Sequence, residues 1–151
     1  MQAAVGHPLT VYGTGGQRRS FLDIRDTVRC IDIAIEHPAR EGEYRVFNQF
    51  TEMFAVEELA ERVARVARER GMPCEIAHVE NPRVEREAHY YNCVNSNLRS
   101  LGLEPTPLSD DTIAGLIALA REHAERVDLR LIPPRVEWSS TPAREGAPAV
   151  A

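Results

Sequence analysis

The chain has 151 residues, of which 43% are hydrophobic and 27% charged, and its formal net charge is -5. This composition is typical of one modest globular domain, and the acidic balance argues against a general nucleic-acid-binding surface. No apolar run approaches the roughly 20 residues that a membrane-spanning helix needs, and the N-terminus has no signal-peptide pattern, so we expect a cytoplasmic protein without a membrane partner.

The basic residues are all arginine, because the sequence contains no lysine. This excludes, within the chain, a Walker A lysine, a Schiff base and a Tyr-x-x-x-Lys catalytic pair. Cys30, Cys74 and Cys93 fit neither a disulfide framework nor a C-x-x-C motif, so buried or idle thiols are expected. His89 and Cys93 are four residues apart, but no second pair completes a four-ligand site, and we predict no metal.

The first predicted unit is a strand at residues 9–12, a glycine-rich turn and a second strand at residues 20–24. Glycines at 13, 15 and 16 permit positive φ angles, and Gln17, Arg18 and Arg19 offer donors to an anion. A dinucleotide-binding fingerprint would need glycine at position 18 and a helix opening there, which the sequence contradicts. Two interpretations stay open: a site where Gln17 and Arg19 reach a phosphate or polar sugar, or a plain hairpin loop.

A helix is predicted next, with Asp26 as its cap and Pro38 at its end, because Val28, Ile31, Ala34 and Ile35 recur at helical spacing. Residues 44–47 are rich in β-formers and predict a buried strand. A second helix follows, with Gly71 at its C-terminal cap and one apolar stripe formed by Val56, Leu59, Val63 and Val66.

The C-terminal half is predicted to contain a strand at residues 74–79, a polar loop at 80–92 and a short helix at 95–101. Ser109 then caps a last helix, whose expected core face is Ile113, Leu116, Ile117, Leu119 and Ala120. We divide the chain into one unit at residues 1–136 and a mobile Pro/Ala-rich tail at residues 137–151.

The loop at residues 81–92 is the second candidate site, because it combines arginines, carboxylates and two tyrosines. Arginine suits phosphate recognition, carboxylates suit ribose hydroxyls, and tyrosine can flank a ring. The alternative is a surface loop whose charges pair with one another.

The segment at residues 9–26, with the pattern L-T-V-Y-G-x-G-G-Q-x-R-x-F-L-D-I-R-D, resembles the part of extended short-chain dehydrogenases that contacts a sugar nucleotide. It places the chain in the NAD-dependent epimerase and dehydratase superfamily. Further strings at residues 43–52, 81–85, 89–92 and 101–105 resemble the branch that converts UDP-glucose and sulfite to UDP-sulfoquinovose for sulfolipid biosynthesis. The resemblance runs from about residue 6 to residue 138 and covers only the C-terminal part of the family's length.

The resemblance implies an α/β fold: the C-terminal part of an extended Rossmann-type sugar-nucleotide enzyme, with a small mixed substrate-binding lobe and without the N-terminal NAD-binding sheet. NAD is expected for the full-length family member, bound mainly by that N-terminal part. The implied partners are UDP-glucose or a related UDP-sugar, an N-terminal Rossmann half on the same or a separate polypeptide, and a second subunit of the full-length enzyme. Catalysis by this chain alone is not expected.

Two other functions stay open: a non-catalytic remnant or UDP-sugar-binding module, and a fragment of another NAD-dependent UDP-sugar epimerase or dehydratase.

The resemblance also implies roles for particular residues, none of them catalytic. The backbone around Thr10, Val11 and Tyr12 meets the uracil, and Gln17 with Arg19 reaches the ribose and diphosphate. The remaining contacts come from the loop at residues 81–92. Position 86 is arginine where related epimerases have the aspartate of an Arg-x-x-Asp pattern, so the ribose carboxylate must be another one; the loop's contacts are then Arg83 on the diphosphate, Glu85 or Glu87 on the ribose, and Tyr90.

Overall fold

The computed structural model describes residues 1–81, 94 and 96–132. It confirms the α/β class. The strands are β1 (Leu9–Tyr12), β2 (Arg18–Phe21), β3 (Glu52–Ala55) and β4 (Ile76–Val79), and the helices are α1 (Ile24–Glu36), α2 (Val56–Glu69), α3 (Ser96–Ser100) and α4 (Asp110–Glu122). No helix in this described part is long and apolar enough to cross a membrane.

Two separate two-stranded sheets form within the described residues. Strand β1 pairs with β4 in parallel, with Leu9 opposite Ile76 and Tyr12 opposite Val79. Strand β2 pairs antiparallel with β3 instead. Because β1 and β2 lie in different sheets, the glycine turn between them is not a hairpin, and the hairpin interpretation of this turn is wrong.

Helix α2 lies at the centre of the main hydrophobic core. Its inner face buries Ala64, Val66 and Ala67, which join a cluster containing Leu9 and Ile113. The Glu58 carboxylate accepts a hydrogen bond from the Ala55 N–H at the start of the helix. After its end Gly71 has a φ of +74°, so the predicted helix and its glycine stop are confirmed.

Helix α1 begins about one turn earlier in the chain than predicted. The capping side chain is Asp23, which accepts a hydrogen bond from the Arg25 N–H, so the prediction of Asp26 as the cap is wrong. Asp26 is fully buried and accepts two hydrogen bonds of 2.7 Å from the Thr106 backbone N–H and hydroxyl. It thereby joins α1 to the segment before α4.

Residues 44–47 form no strand, whereas β3, which was not predicted, lies directly before α2. The second strand runs from Arg18 to Phe21 rather than over residues 20–24, because Arg18 pairs opposite Ala55. In α4 the Ser109 hydroxyl accepts from the Thr112 N–H, as predicted. Its buried residues are Ile113, Ala114 and Ile117, whereas Leu116 and Leu119 are exposed.

Candidate functional site

The glycine turn follows the carboxyl end of β1, beside the carboxyl end of β4. The Gly13 N–H donates a hydrogen bond of 2.9 Å to the Val79 carbonyl, which joins the two strand ends. The turn at residues 13–17 and the start of the loop that follows residue 79 therefore lie at one edge of the parallel pair. Ligands of α/β proteins characteristically bind at this edge.

Gly15 holds the turn against α2. Its φ is +72°, and a Cβ atom there would lie 2.8 Å from both the Glu57 Cβ and the Val11 Cγ1. The first N–H groups of α2 are already used, because Val56 donates to the Gln17 carbonyl and Glu57 to the Gly15 carbonyl. The turn leads into β2, and the start of α2 is occupied, so the turn and this helix start do not form the phosphate site of a dinucleotide-binding motif.

Gln17 lies inside the turn with only 7% of its surface exposed. Its Nε2 group donates a hydrogen bond of 3.1 Å to the Tyr12 carbonyl. The side-chain carbonyl Oε1 is buried and has no hydrogen-bond partner among the described residues. The amide donor of Gln17 therefore links the turn to β1, and its buried acceptor is left without a hydrogen-bond partner among the described residues.

Arg18 and Arg19 are exposed neighbours on β2. Successive strand residues point to opposite faces of a sheet, so the two guanidinium groups leave the strand on different sides. Arg18 donates through Nη2 to the Met53 carbonyl across the sheet, and Arg19 donates through Nη1 to the Arg18 carbonyl.

The outer edge of β1 is the edge that does not pair with β4. There the Thr10 N–H donates to the Gln2 side-chain oxygen at 3.1 Å, and the Gln2 amide nitrogen donates to the Thr10 hydroxyl at 2.8 Å. The Gln2 carboxamide thus lies against Thr10, where the resemblance places the uracil. Uracil presents a comparable carbonyl and N–H group. Val11 is 1% exposed as a whole residue, so it offers almost no surface to a ligand within the described residues.

Glu57 and His78 also border the turn, although the sequence offered no reason to choose either of them. The imidazole Nδ1 of His78 lies 2.9 Å from the Gly13 carbonyl, and its Nε2 lies 3.3 Å from a Glu57 carboxylate oxygen. The backbone hydrogen bond to Gly13 and the nearby Glu57 charge raise the pKa of His78. The position of His78 in β4, opposite Val11, is what brings it to the turn.

The second predicted cluster, formed by Arg83, Glu85, Glu87 and Tyr90, lies outside the described residues. Arg83 is separated by one residue from Asn81, where the described chain stops after β4. Among the described residues no cluster of three or more His, Cys, Asp or Glu side chains is placed to hold a metal ion.

Comparison with known proteins adds two close sequence relatives. Residues 1–48 match the NAD dependent epimerase/dehydratase family. The chain is 51% identical over 138 residues to the chloroplastic UDP-sulfoquinovose synthase of Spinacia oleracea, covering 91% of this chain and 29% of that protein. It is 39% identical over 140 residues to the UDP-sulfoquinovose synthase of Sulfolobus acidocaldarius, covering 91% of this chain and 36% of that protein.

A solved structure resembles the fold as a whole. It is a UDP-glucuronic acid 4-epimerase from Bacillus cereus in complex with UDP-glucuronic acid and NAD. The TM-score is 0.61 at 18% sequence identity, and the alignment covers 81% of this chain and 38% of that one. The chain thus spans about a third of the length of each of these proteins.

Proposed function

Because this chain belongs to the NAD-dependent epimerase/dehydratase family, we propose that it forms the UDP-sugar-binding portion of an enzyme similar to the UDP-sulfoquinovose synthases. Such an enzyme converts UDP-glucose and sulfite to UDP-sulfoquinovose with NAD. The observation that supports this most is the 51% identity to the Spinacia oleracea enzyme over 138 residues.

The proposed ligand lies along the carboxyl edge of β1 and β4. The uracil contacts the outer edge of β1, where the Thr10 N–H is directed away from β4 and the Gln2 amide is displaced. The ribose and diphosphate lie over the glycine turn, where Gln17 lies inside the turn and the exposed Arg19 supplies a positive charge. The proposal keeps Arg83 as a contact to the diphosphate, Glu85 or Glu87 as the ribose carboxylate and Tyr90 as a further contact, all of which lie outside the described residues.

We assign the hydride and proton transfers of the reaction to the part of the enzyme that lies outside this chain. The glycine turn lacks the dinucleotide-binding fingerprint, and the sequence contains no lysine for a Tyr-x-x-x-Lys pair. NAD, when bound by the remainder of the enzyme, supplies transient oxidation of the sugar. What these residues supply is binding and orientation of the UDP-sugar, which can account for several kcal/mol of a barrier when the geometry is correct.

The test uses a hybrid protein, defined as the Spinacia oleracea synthase with the region that this chain matches replaced by this chain. We expect the hybrid to form UDP-sulfoquinovose from UDP-glucose only when sulfite is present. A folded hybrid that binds NAD but neither binds UDP-glucose nor turns it over would contradict the proposal.

A second candidate is a family member that acts on another UDP-sugar. The resemblance to a structure that contains UDP-glucuronic acid favours keeping this candidate. Offering the hybrid UDP-glucose and UDP-glucuronic acid, each with and without sulfite, separates the two functions, because only the synthase-like one consumes sulfite. A hybrid that binds both UDP-sugars but turns over neither would indicate the third function, a non-catalytic UDP-sugar-binding module.

A further inference from the structure

His78 connects three parts of the candidate site through one imidazole ring. The residue belongs to β4 and lies opposite Val11 of β1 in the parallel pair. Its Nδ1 lies 2.9 Å from the Gly13 carbonyl oxygen in the turn, and its Nε2 lies 3.3 Å from Oε2 of Glu57 in the first turn of α2. The ring therefore lies between the start of the glycine turn and the helix that packs against this turn.

Both ring nitrogens of His78 face oxygen atoms that only accept hydrogen bonds. A backbone carbonyl and an ionised carboxylate have no proton to donate. A neutral imidazole carries one N–H, so it satisfies one of these two acceptors and directs a lone pair at the other. The imidazolium carries two N–H groups and can donate to both. The geometry thus fits the charged form of His78.

The Glu57 carboxylate needs this positive charge, because its Oε2 atom is buried and has no regular hydrogen-bond partner among the described residues. A buried carboxylate oxygen without compensation is costly. Around the His78 ring the turn contributes the Gly13 carbonyl, α2 the Glu57 charge and β1 the apolar Val11. The carbonyl and the carboxylate both raise the pKa of His78, which favours the imidazolium.

His78 and Glu57 also hold the two ends of the glycine turn. The His78 ring contacts the Gly13 carbonyl, and the Glu57 backbone N–H donates a hydrogen bond of 3.0 Å to the Gly15 carbonyl. The contact between the two side chains fixes β4 against the start of α2 beside the turn. The turn leads directly into β2, which carries Arg19. The position of the proposed diphosphate contact therefore depends on this bridge.

We infer that His78 is a positioning residue of the proposed UDP-sugar site: its imidazolium bridges the turn to α2, and loss of one ring proton releases one of these contacts and weakens UDP-sugar binding. This inference rests on the proposed function, which places the ribose and diphosphate over the turn. The His78 side chain is 49% exposed, so the ring can exchange protons with solvent. Affinity for the UDP-sugar then falls as pH rises through the pKa of His78 in the folded chain.

The test measures the dissociation constant of UDP-glucose for the hybrid protein by calorimetry at pH 6.0 and pH 8.5. The diphosphate of UDP-glucose is a diester, so its charge is constant over this range. We expect the constant to rise about 3- to 10-fold more in the unaltered hybrid than in His78→Gln, which cannot titrate, because one hydrogen bond is lost. His123→Gln, at an exposed position after α4, is the control and should leave the rise unchanged.

Glu57→Gln separates positioning from a direct attraction between the His78 charge and the diphosphate. The introduced amide N–H can donate to Nε2 of a neutral imidazole, while Nδ1–H still donates to the Gly13 carbonyl. Both contacts then persist at high pH, so we expect this variant to bind UDP-glucose as tightly at pH 8.5 as at pH 6.0. A direct attraction would instead keep the pH dependence, because the imidazolium still loses its charge.

Equal rises in the hybrid and in His78→Gln would overturn the inference, as would a rise that survives Glu57→Gln. The proposed function is judged separately. A hybrid that binds UDP-glucose equally at both pH values keeps the function and rejects the inference. A hybrid that binds it at neither pH rejects the function, and the bridge is then judged by NMR titration of His78 in the chain alone, where a pKa at or below 6.5 overturns it.

Discussion

Gly15 is the residue on which the geometry of the turn depends most. Any side chain there meets a positive φ and two carbon atoms at 2.8 Å, one from Glu57 and one from Val11. We expect Gly15→Ala to lower the free energy of unfolding by about 2–4 kcal/mol, from backbone strain and overpacking together. Urea denaturation measures this value.

Gly42→Ala is the matched control for that change, because Gly42 has a φ of +78° and nothing within 4 Å of the added carbon. It should cost only about 1 kcal/mol, the backbone part alone. Equal losses in the two variants would show that the contact between the turn and α2 adds nothing.

His78 makes the stability of this edge depend on pH. Its pKa is raised in the folded chain, so its stabilising contribution is complete below the unfolded value of 6.5 and is lost as pH rises through the folded value. The difference in urea midpoint between the wild type and His78→Gln should therefore shrink from pH 5.5 to pH 8.5. A difference that stays constant or grows would contradict this, and His123→Gln, at an exposed position, is the control.

Residue patterns predicted parts of the site but not its contacts. The glycines correctly marked the turn, because Gly13 and Gly15 have positive φ angles, which favour glycine, although Gly16 does not. The same pattern could not show that Gln17 directs its amide nitrogen inward to Tyr12, or that Glu57 and His78 border the turn. Those positions depend on the parallel pairing of β1 with β4, which joins residues more than 60 positions apart.

At the scale of the elements, the attachment of α1 to the segment before α4 depends on one buried carboxylate, that of Asp26. Asp26 is fully buried and satisfies both the N–H and the hydroxyl of Thr106. Asp26→Ala should reduce the free energy of unfolding by about 2–4 kcal/mol, because two hydrogen bonds are lost and the Thr106 N–H loses its acceptor. Chemical denaturation checks this, with the exposed Asp32→Ala as the control at under about 0.5 kcal/mol.

Elements that are stabilised by their own periodicity were predicted well. Helix α2 was predicted from its apolar stripe and from Gly71, and the structure confirms the helix and its glycine stop. Of the predicted stripe, Val63 and Val66 pack in the core cluster, whereas Val56 and Leu59 are only partly buried outside it. Residues 44–47 were predicted as a strand from composition, but a strand also needs backbone partners, which the described residues do not provide. Strand β3 was not predicted, because Met53 and Phe54 are adjacent apolar residues that do not alternate with polar ones as in a half-buried strand. The strand is formed by its pairing with β2, which the local sequence does not show.

At the scale of the whole molecule, two observations are consistent with the proposal that the chain is one portion of an enzyme. They are the exposed residues Ile24, Val28, Ile31 and Ile35 of α1 and the share of the two relatives that the chain covers. The chain spans about a third of the length of two synthases, and within the described residues four aliphatic side chains of α1 are at least half exposed. The proposed UDP-sugar site is divided between this chain and the remainder of the enzyme in the same way. In the proposed site the turn and the outer edge of β1 form one wall, and we assign the residues for hydride transfer to the remainder of the enzyme.

The central claim, that the glycine turn holds the diphosphate of a UDP-sugar, is tested most directly by measuring the dissociation constant of UDP for the hybrid protein by calorimetry. Arg19→Ala should weaken UDP binding about 10-fold through loss of a charge-assisted hydrogen bond. Arg18→Ala, on the opposite face of β2, should change it less than about twofold. An unchanged dissociation constant in Arg19→Ala, or equal effects of the two changes, would contradict the account.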